Sequence, residues 1–341
     1  MGSDLSFSVI VPTYNRAHLV GRAINSALYQ MSDDDELIVV DDGSTDGTEE
    51  ALAPYADKIR YKKTPNCGAG RARNYGIGLA EKDLVAFLDS DDEWMPGKLA
   101  LNRGLFAARD DVLFSFSNMA ATLPDRSIEH RYLRFWHEDD RPWDEILGPS
   151  VPYSTLAVLP DGIDDFNVHF GRLFARMAEA PYMFTTTVVA RRQQAGNALQ
   201  FEEDLPLYED WLCYGRLCQK GLAAYLDIET AWNHADASER LTDGDSLQKA
   251  TVRTVVLERL WGHDVSYLSR YRDIYDELLS DQHCKCAASL IAMGKAAEAR
   301  QHLKQADHPP WYLRPLSFLP GPIARGMAWI RAQLKRVIGK K

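Results

Sequence analysis

Three short apolar runs constrain this chain most. Each is stopped by a polar or acidic cluster, and each is separated from the next by a helix-patterned stretch. Residues 7–11 end at Pro12-Thr13-Tyr14-Asn15, residues 37–40 at Asp41-Asp42-Gly43-Ser44, and residues 84–88 at Asp89-Ser90-Asp91-Asp92. Consecutive apolar residues without alternation are buried on both faces, as the strands of a parallel sheet are. Between the first two runs, Leu19, Ala23, Ile24, Ala27, Leu28 and Met31 recur at helical spacing. Residues 71–80 and 96–108 read as further helices, with Pro96 at home in a first turn. Residues 59–61 and 112–116 read as further strands. Strand and helix in alternation predict an α/β sheet covered on both faces. In such a sheet, ligands bind outside the carboxyl ends of the strands, and each polar cluster falls at such an end.

The acidic cluster 89–92 is the most informative of the three. Carboxylates crowded at a strand end repel one another unless a cation neutralises them. Oxygen ligands suit Mg²⁺ or Mn²⁺, which complete their shell with substrate phosphates. The residues alone read equally as an acidic helix N-terminus ahead of Pro96, favoured by the helix dipole. Likewise Asp41 and Asp42 read either as ligand-binding groups or as caps of a helix beginning near Thr45.

Further along, residues 119–181 lose the alternation and are rich in Pro, Asp, Trp and His. A helix is predicted within 161–180 through Phe166, Phe170, Leu173, Phe174 and Met177, and a strand over 183–189. Residues 209–220 read as a helix, 223–226 and 230–233 as two short strands, and everything after about residue 240 as helical.

Taken in order, Pro12-Thr13-Tyr14-Asn15-Arg16, Val40-Asp41-Asp42-Gly43-Ser44-Thr45-Asp46-Gly47-Thr48, Arg73-Asn74-x-Gly76-Ile77, Phe87-Leu88-Asp89-Ser90-Asp91-Asp92 and Tyr208-Glu209-Asp210-Trp211 resemble the signatures of the family 2 glycosyltransferases. The resemblance runs from about residue 7 to 234. It implies an α/β GT-A fold, Rossmann-like, with a mainly parallel sheet flanked by helices and a C-terminal α-helical extension. The implied activity is inverting transfer of a sugar from a nucleotide-sugar donor, UDP by default, to a saccharide or lipid-linked hydroxyl acceptor in polysaccharide or glycolipid assembly. The implied cofactor is Mn²⁺ or Mg²⁺.

Roles then fall on individual residues as what the resemblance implies. Pro12, Thr13, Tyr14 and Asp42 line the base pocket. Arg73 pairs with phosphate or base. Asp89 holds the ribose hydroxyls or joins the metal shell, with Ser90 beside it. Asp91 ligates the metal, Asp92 stands behind it or caps a helix, and His234 adds a ligand to the metal or diphosphate. Asp210 is the general base. Glu209 is its neighbour on a helix and faces elsewhere, so only one of the two serves. A sugar-1-phosphate nucleotidyltransferase is the rival enzyme, but that class opens with a Gly-rich basic loop where Pro12-Thr13-Tyr14-Asn15 stands. A degenerate nucleotide-sugar binder is the rival outside catalysis.

The expected division is a catalytic domain over 1–238, with a nucleotide-binding half 7–118 and an acceptor half 119–238, and a helical region 239–341. Residues 287–306 read as a helical pair, and Cys284-x-Cys286 as packing. The chain has a net charge of -10, which argues against nucleic acid as a partner. After Asp307 there is no acidic residue, while Arg314, Arg325, Arg331, Lys335, Arg336, Lys340 and Lys341 are basic. Ile323, Met327, Ile330, Leu334, Val337 and Ile338 share one helical face there. That pattern predicts either an amphipathic helix on an anionic membrane or a helix docked on protein. Five cysteines without a zinc or disulfide framework, and an N-terminus without a secretory pattern, lead to the expectation of a cytoplasmic chain, peripheral on the inner face of the membrane.

Overall fold

The apolar runs become strands β1 (Phe7–Thr13), β2 (Glu36–Asp41) and, after β3 (Arg60–Lys63), β4 (Leu84–Phe87). They are joined by β5 (Asp92–Trp94), β6 (Val112–Thr122), β7 (Ile128–Glu129), β8 (Ser150–Pro152), β9 (Asn167–Gly171), β10 (Val189–Arg191) and β11 (Leu222–Asn233) in one mixed sheet of order β3-β2-β1-β4-β10-β6-β11-β9-β8, with β5 on β11 and β7 on β6. The computed structural model describes residues 5–137, 139–234, 245–323 and 326–327. The chain divides into two units, Met1–Ser238 and Glu239–Lys341.

β3-β2-β1-β4 run parallel. The chain builds β2 and β3 on one side of β1, then crosses back to place β4 on the other. A crevice opens where the winding reverses, between the carboxyl ends of β1 and β4. β1 is buried on both faces. Phe7, Val9 and Val11 pack with Val20, Ala23, Ile24 and Ala27 of the helix Val20–Leu28. On the opposite face, Ile10 meets Gly76 of the helix Ala69–Leu79, where a Cβ would lie 2.5 Å from Ile10 Cγ2. Glycine at this point sets how closely that helix approaches the sheet.

Three predicted elements differ from those observed. The helix expected within 161–180 is instead β9 followed by the short helix Phe174–Glu179. The apolar spacing there suits either state, and β9 is held by pairing to β11 on one side and β8 on the other, so tertiary partners decide. The strand expected over 183–189 begins as a 3₁₀ turn, Thr185–Thr187, where the backbone N–H and hydroxyl of Thr187 both donate to the Phe184 carbonyl. The two short strands at 223–226 and 230–233 are one long strand, β11, whose irregular register between Leu226 and Trp232 breaks up the apolar pattern.

The second unit is helical. Asp245 caps the helix Ser246–Leu260, and Asp264 caps Val265–Ala292 by accepting from the Tyr267 N–H at 2.7 Å. The latter turns at Gly294 into Ala296–Gln305, and Ala287, Leu290, Ile291, Ala299 and Leu303 close the pair around Leu313 and Leu316. The five cysteines are free thiols. Among the described residues no helix is long and apolar enough to cross a membrane. Most of the basic amphipathic tail lies outside the described residues.

Candidate active site

At the end of β1, Thr13 is buried and its Oγ1 has no hydrogen-bond partner, whereas Tyr14 is exposed. Asn15 takes a left-handed conformation (φ 50°), which its short polar side chain tolerates. The loop is pinned to the end of β2: the Asn15 N–H donates to Ser44 Oγ (2.9 Å), and the Thr45 N–H to Asn15 Oδ1 (2.9 Å). Asp41 and Asp42 then separate in function. Asp41 is fully buried and accepts from the Ser44 N–H (2.7 Å) and the Tyr61 hydroxyl (3.0 Å). Asp42 accepts from the Cys67 and Gly68 N–H groups (2.9 and 2.8 Å), fixing the loop that launches the helix Ala69–Leu79. Burial pushes its carboxyl above the usual range despite those two donors. Neither caps a helix: the next one, Thr48–Leu52, starts after Gly47.

The run 89–92 divides likewise. Asp89, just past β4, pairs with Arg73 Nη2 at 2.8 Å. Ser90 is buried in the turn. Asp91 keeps a partly exposed carboxylate 3.7 Å from Arg16 Nε. Asp92 is buried, opens β5 rather than capping a helix, and accepts from Asn233 Nδ2 at 2.7 Å. Burial, then the charges of Asp89 and Asp91, raise the Asp92 carboxyl well above the usual range.

Arg73 is the centre of the arrangement. Its guanidinium is buried, lies 5.2 Å from the Phe201 ring centroid, and joins Asp89 to Glu209 (2.9 Å), a residue 136 positions later in the chain. Burial opposes its charge, but Asp89 and Glu209 overcome that and hold it firmly protonated. The loop carrying Phe201 is stitched to the same helix by Asn74, which both donates to and accepts from the Phe201 backbone at 2.8 Å.

Glu209 and Asp210 open the helix Glu209–Lys220 as expected, and the structure separates them. Glu209 is engaged by Arg73. Asp210 accepts from its own helix at the Trp211 N–H (2.7 Å) and from Thr185 Oγ1 at 3.4 Å. Burial, then the neighbouring Glu209 charge, push its carboxyl up to about 7, with Arg73 pulling the other way. His234 stands at the end of β11, stacked on Trp232 with its Nε2 2.9 Å from Glu93 Oε2. Among the described residues no three His, Cys, Asp or Glu side chains gather to hold a metal unaided. The donor set of hard carboxylate oxygens at Asp89 and Asp91 fits a divalent cation that brings most of its shell from phosphates and water.

Two buried polar residues escaped the sequence reading. Thr185 is one. The other is Lys98, wholly buried, with Nζ donating to the Thr187 carbonyl (2.9 Å) and Thr230 Oγ1 (3.2 Å). Desolvation lowers its pKa to about 7. No local pattern marks either one, because each is defined by partners far away in sequence.

Residues 8–179 match the model of the glycosyl transferase family 2, so Asp210 and His234 lie beyond the matched stretch. The UDP-Glc:alpha-D-GlcNAc-diphosphoundecaprenol beta-1,3-glucosyltransferase WfgD of Escherichia coli is 35% identical over 118 residues, which is 34% of this chain and 46% of that one. The alignments to curated relatives span less than half of those proteins' lengths. S. aureus TarS 1-349, solved with UDP-GlcNAc, superposes with a TM-score of 0.60 at 18% identity, covering 98% of this chain and 92% of that one. The mannosyltransferase PcManGT of Pyrobaculum calidifontis, solved with GDP-Man and Mn²⁺, gives 0.51 at 16% identity, covering 100% and 89%. Both share the GT-A-like architecture. With half of its length matched by the family model, this chain belongs to glycosyltransferase family 2.

Proposed function

We propose that this chain transfers a sugar from a nucleoside-diphosphate sugar to a hydroxyl acceptor by a single inverting displacement, with Asp210 as general base. The observation that carries the reading is the Asp89–Arg73–Glu209 bridge. It ties the crevice at the end of β4 to the start of the helix bearing Asp210. In this reading the donor lies across the ends of β1 and β4. Its base takes the pocket of Pro12, Thr13, Tyr14 and Asp42, where the unpartnered Thr13 hydroxyl supports a polar ligand. Asp89 and the adjacent Ser90 meet the ribose. Arg73 acts through its carboxylate partners rather than on phosphate directly.

A Mg²⁺ or Mn²⁺ ion with the diphosphate would be held by Asp91, and by His234 if it exchanges Glu93 for the ion. Bound there, it would offset charge growing on the leaving diphosphate. The acceptor hydroxyl gives its proton to Asp210, whose carboxyl at about 7 balances proton affinity against the ionised fraction near neutral pH. UDP is the favoured nucleotide and a saccharide or lipid-linked hydroxyl the acceptor. The names of WfgD and TarS's bound ligand support both UDP and an assembly role in surface polysaccharide or glycolipid. The basic tail fits attachment to an anionic membrane face from the cytoplasmic side.

Thermal shift of the full chain with UDP-, GDP- and dTDP-sugars, with and without Mn²⁺, tests the reading. A ligand selective for the folded state raises the melting temperature. The expected outcome is a UDP-sugar shift enlarged by Mn²⁺. No shift with any nucleotide sugar would overturn it.

A further inference from the structure

The helix Tyr132–His137 presents a group of aromatic rings that the donor site leaves unused. Tyr132 stacks on Phe135 (centroids 5.6 Å, planes 25° apart) and on Phe184 (5.7 Å, 27°), and Trp136 meets Phe184 edge-on at 6.3 Å. Phe135 and Trp136 remain 49% and 48% exposed, although aromatic side chains of this size are normally turned inward. Leu133 fixes the helix from beneath: its side chain is fully buried and its N–H donates to Asn118 Oδ1 at 3.1 Å. The exposure therefore belongs to a held surface.

The position of this surface matters more than its composition. Phe184 is followed directly by Thr185, whose hydroxyl donates to Asp210 Oδ2 at 3.4 Å. Phe184, which carries the ring group, is thus the chain neighbour of the hydrogen-bond partner of the candidate base. Charged pairs stand at the start of the same helix: Arg131, directly before Tyr132, pairs with Asp227 at 3.3 Å, and His130 with Glu229 at 3.1 Å. A flat aromatic face edged by hydrogen-bonding groups matches a pyranose, which offers polarised C–H bonds on one face and hydroxyls around its edge. An isoprenoid chain would use the rings but carries no hydroxyls to exchange hydrogen bonds with the polar groups beside them.

We propose that Phe135 and Trp136, backed by Tyr132 and Phe184, form a stacking platform for a pyranose ring of the acceptor, delivering its hydroxyl toward Asp210. The choice of occupant rests on the transferase reading above. The platform itself rests on the rings and on the adjacency of Phe184 to Thr185, the partner of Asp210.

Saturation-transfer NMR on the full chain tests it, using methyl pyranosides of gluco, galacto, manno and N-acetylglucosamine configuration, with farnesyl phosphate as the lipid probe. The expected result is saturation of the ring C–H protons of at least one pyranoside. Its Kd should rise at least tenfold in both Phe135→Ala and Trp136→Ala, and recover in part in Trp136→Tyr. Melting temperatures of the variants identify any that fails to fold, and the other exposed position then carries the test. Saturation of no pyranoside, signals that survive in both alanine variants, or a ring-dependent signal from farnesyl phosphate alone would each overturn the platform. UDP titration of the unaltered chain reads the donor site separately. UDP binding without pyranoside saturation removes the platform only, and pyranoside saturation without UDP binding removes the transferase reading only.

Discussion

At the scale of single residues, two desolvated groups titrate near neutrality with opposite consequences. Asp210, raised to about 7, must be ionised to accept a proton, so kcat/KM should climb with pH through about 7. Asp210→Asn should keep nucleotide binding while transfer falls by about 10²–10⁴. Turnover near the unaltered rate in that variant, with loss in Glu209→Gln, would move the role to Glu209. Lys98 is the opposite case. Its folded pKa of about 7 lies below the ordinary 10.5, so between those values the unfolded chain binds more protons than the folded one. Its contribution to stability is present above 10.5 and is lost as pH falls through 7. Urea unfolding at pH 7 and pH 9 should therefore show the unaltered chain gaining roughly 2–3 kcal/mol relative to Lys98→Met. Equal slopes in the two proteins would mean that Lys98 is not desolvated. The two groups are not equally legible in the sequence. Asp210 follows from a local acidic pair ahead of a helix, whereas Lys98 looks like any lysine in a first turn. Its partners, Thr187 and Thr230, lie 89 and 132 positions away.

Among elements, the helix Ala69–Leu79 governs the site because it carries both Arg73 and Gly76. Gly76→Ala would set a methyl 2.5 Å from Ile10 Cγ2. Alanine gains up to about 1 kcal/mol of helix propensity, and overpacking costs about 1–3 kcal/mol. The net expectation is a loss of up to about 2 kcal/mol in urea unfolding, with weaker nucleotide binding as Arg73 shifts. Undiminished stability would show that the helix moves freely over β1. The elements of the first half were readable because each strand is a continuous apolar run ended by turn residues, a local property. The stretch 161–171 was not. Its apolar spacing fits a helix until β8 and β11 offer edges to pair with, and that information lies in other parts of the chain. The bridge from Asp89 to Glu209 was hidden for the same reason. The sequence marks both carboxylates but gives no hint that one arginine lies between them.

For the whole molecule, the charge is unevenly spread, with a basic C-terminus on an acidic chain. Each basic residue near an anionic leaflet contributes about 1 kcal/mol, screened by salt, and an inserted apolar face adds a part that salt leaves alone. The full chain should co-sediment with phosphatidylserine vesicles, more weakly at high salt, and removal of residues 321–341 should abolish this. No co-sedimentation at low salt, with a lowered melting temperature in the truncated chain, would make the tail a docked helix instead. A different consequence for the molecule as a unit follows from Arg73. One cation is shared between the end of β4 and the start of the helix Glu209–Lys220, so the two sides of the proposed reaction draw on a single field. In the proposed reaction, a donor engaging Asp89 would loosen its claim on Arg73, and the guanidinium would then act more fully on Glu209 and Asp210, easing ionisation of Asp210. Linkage makes this reciprocal: the factor by which donor occupancy lowers the proton affinity of Asp210 is the factor by which its ionisation raises affinity for donor. On the proposed mechanism, loading the donor and arming the base would become one event.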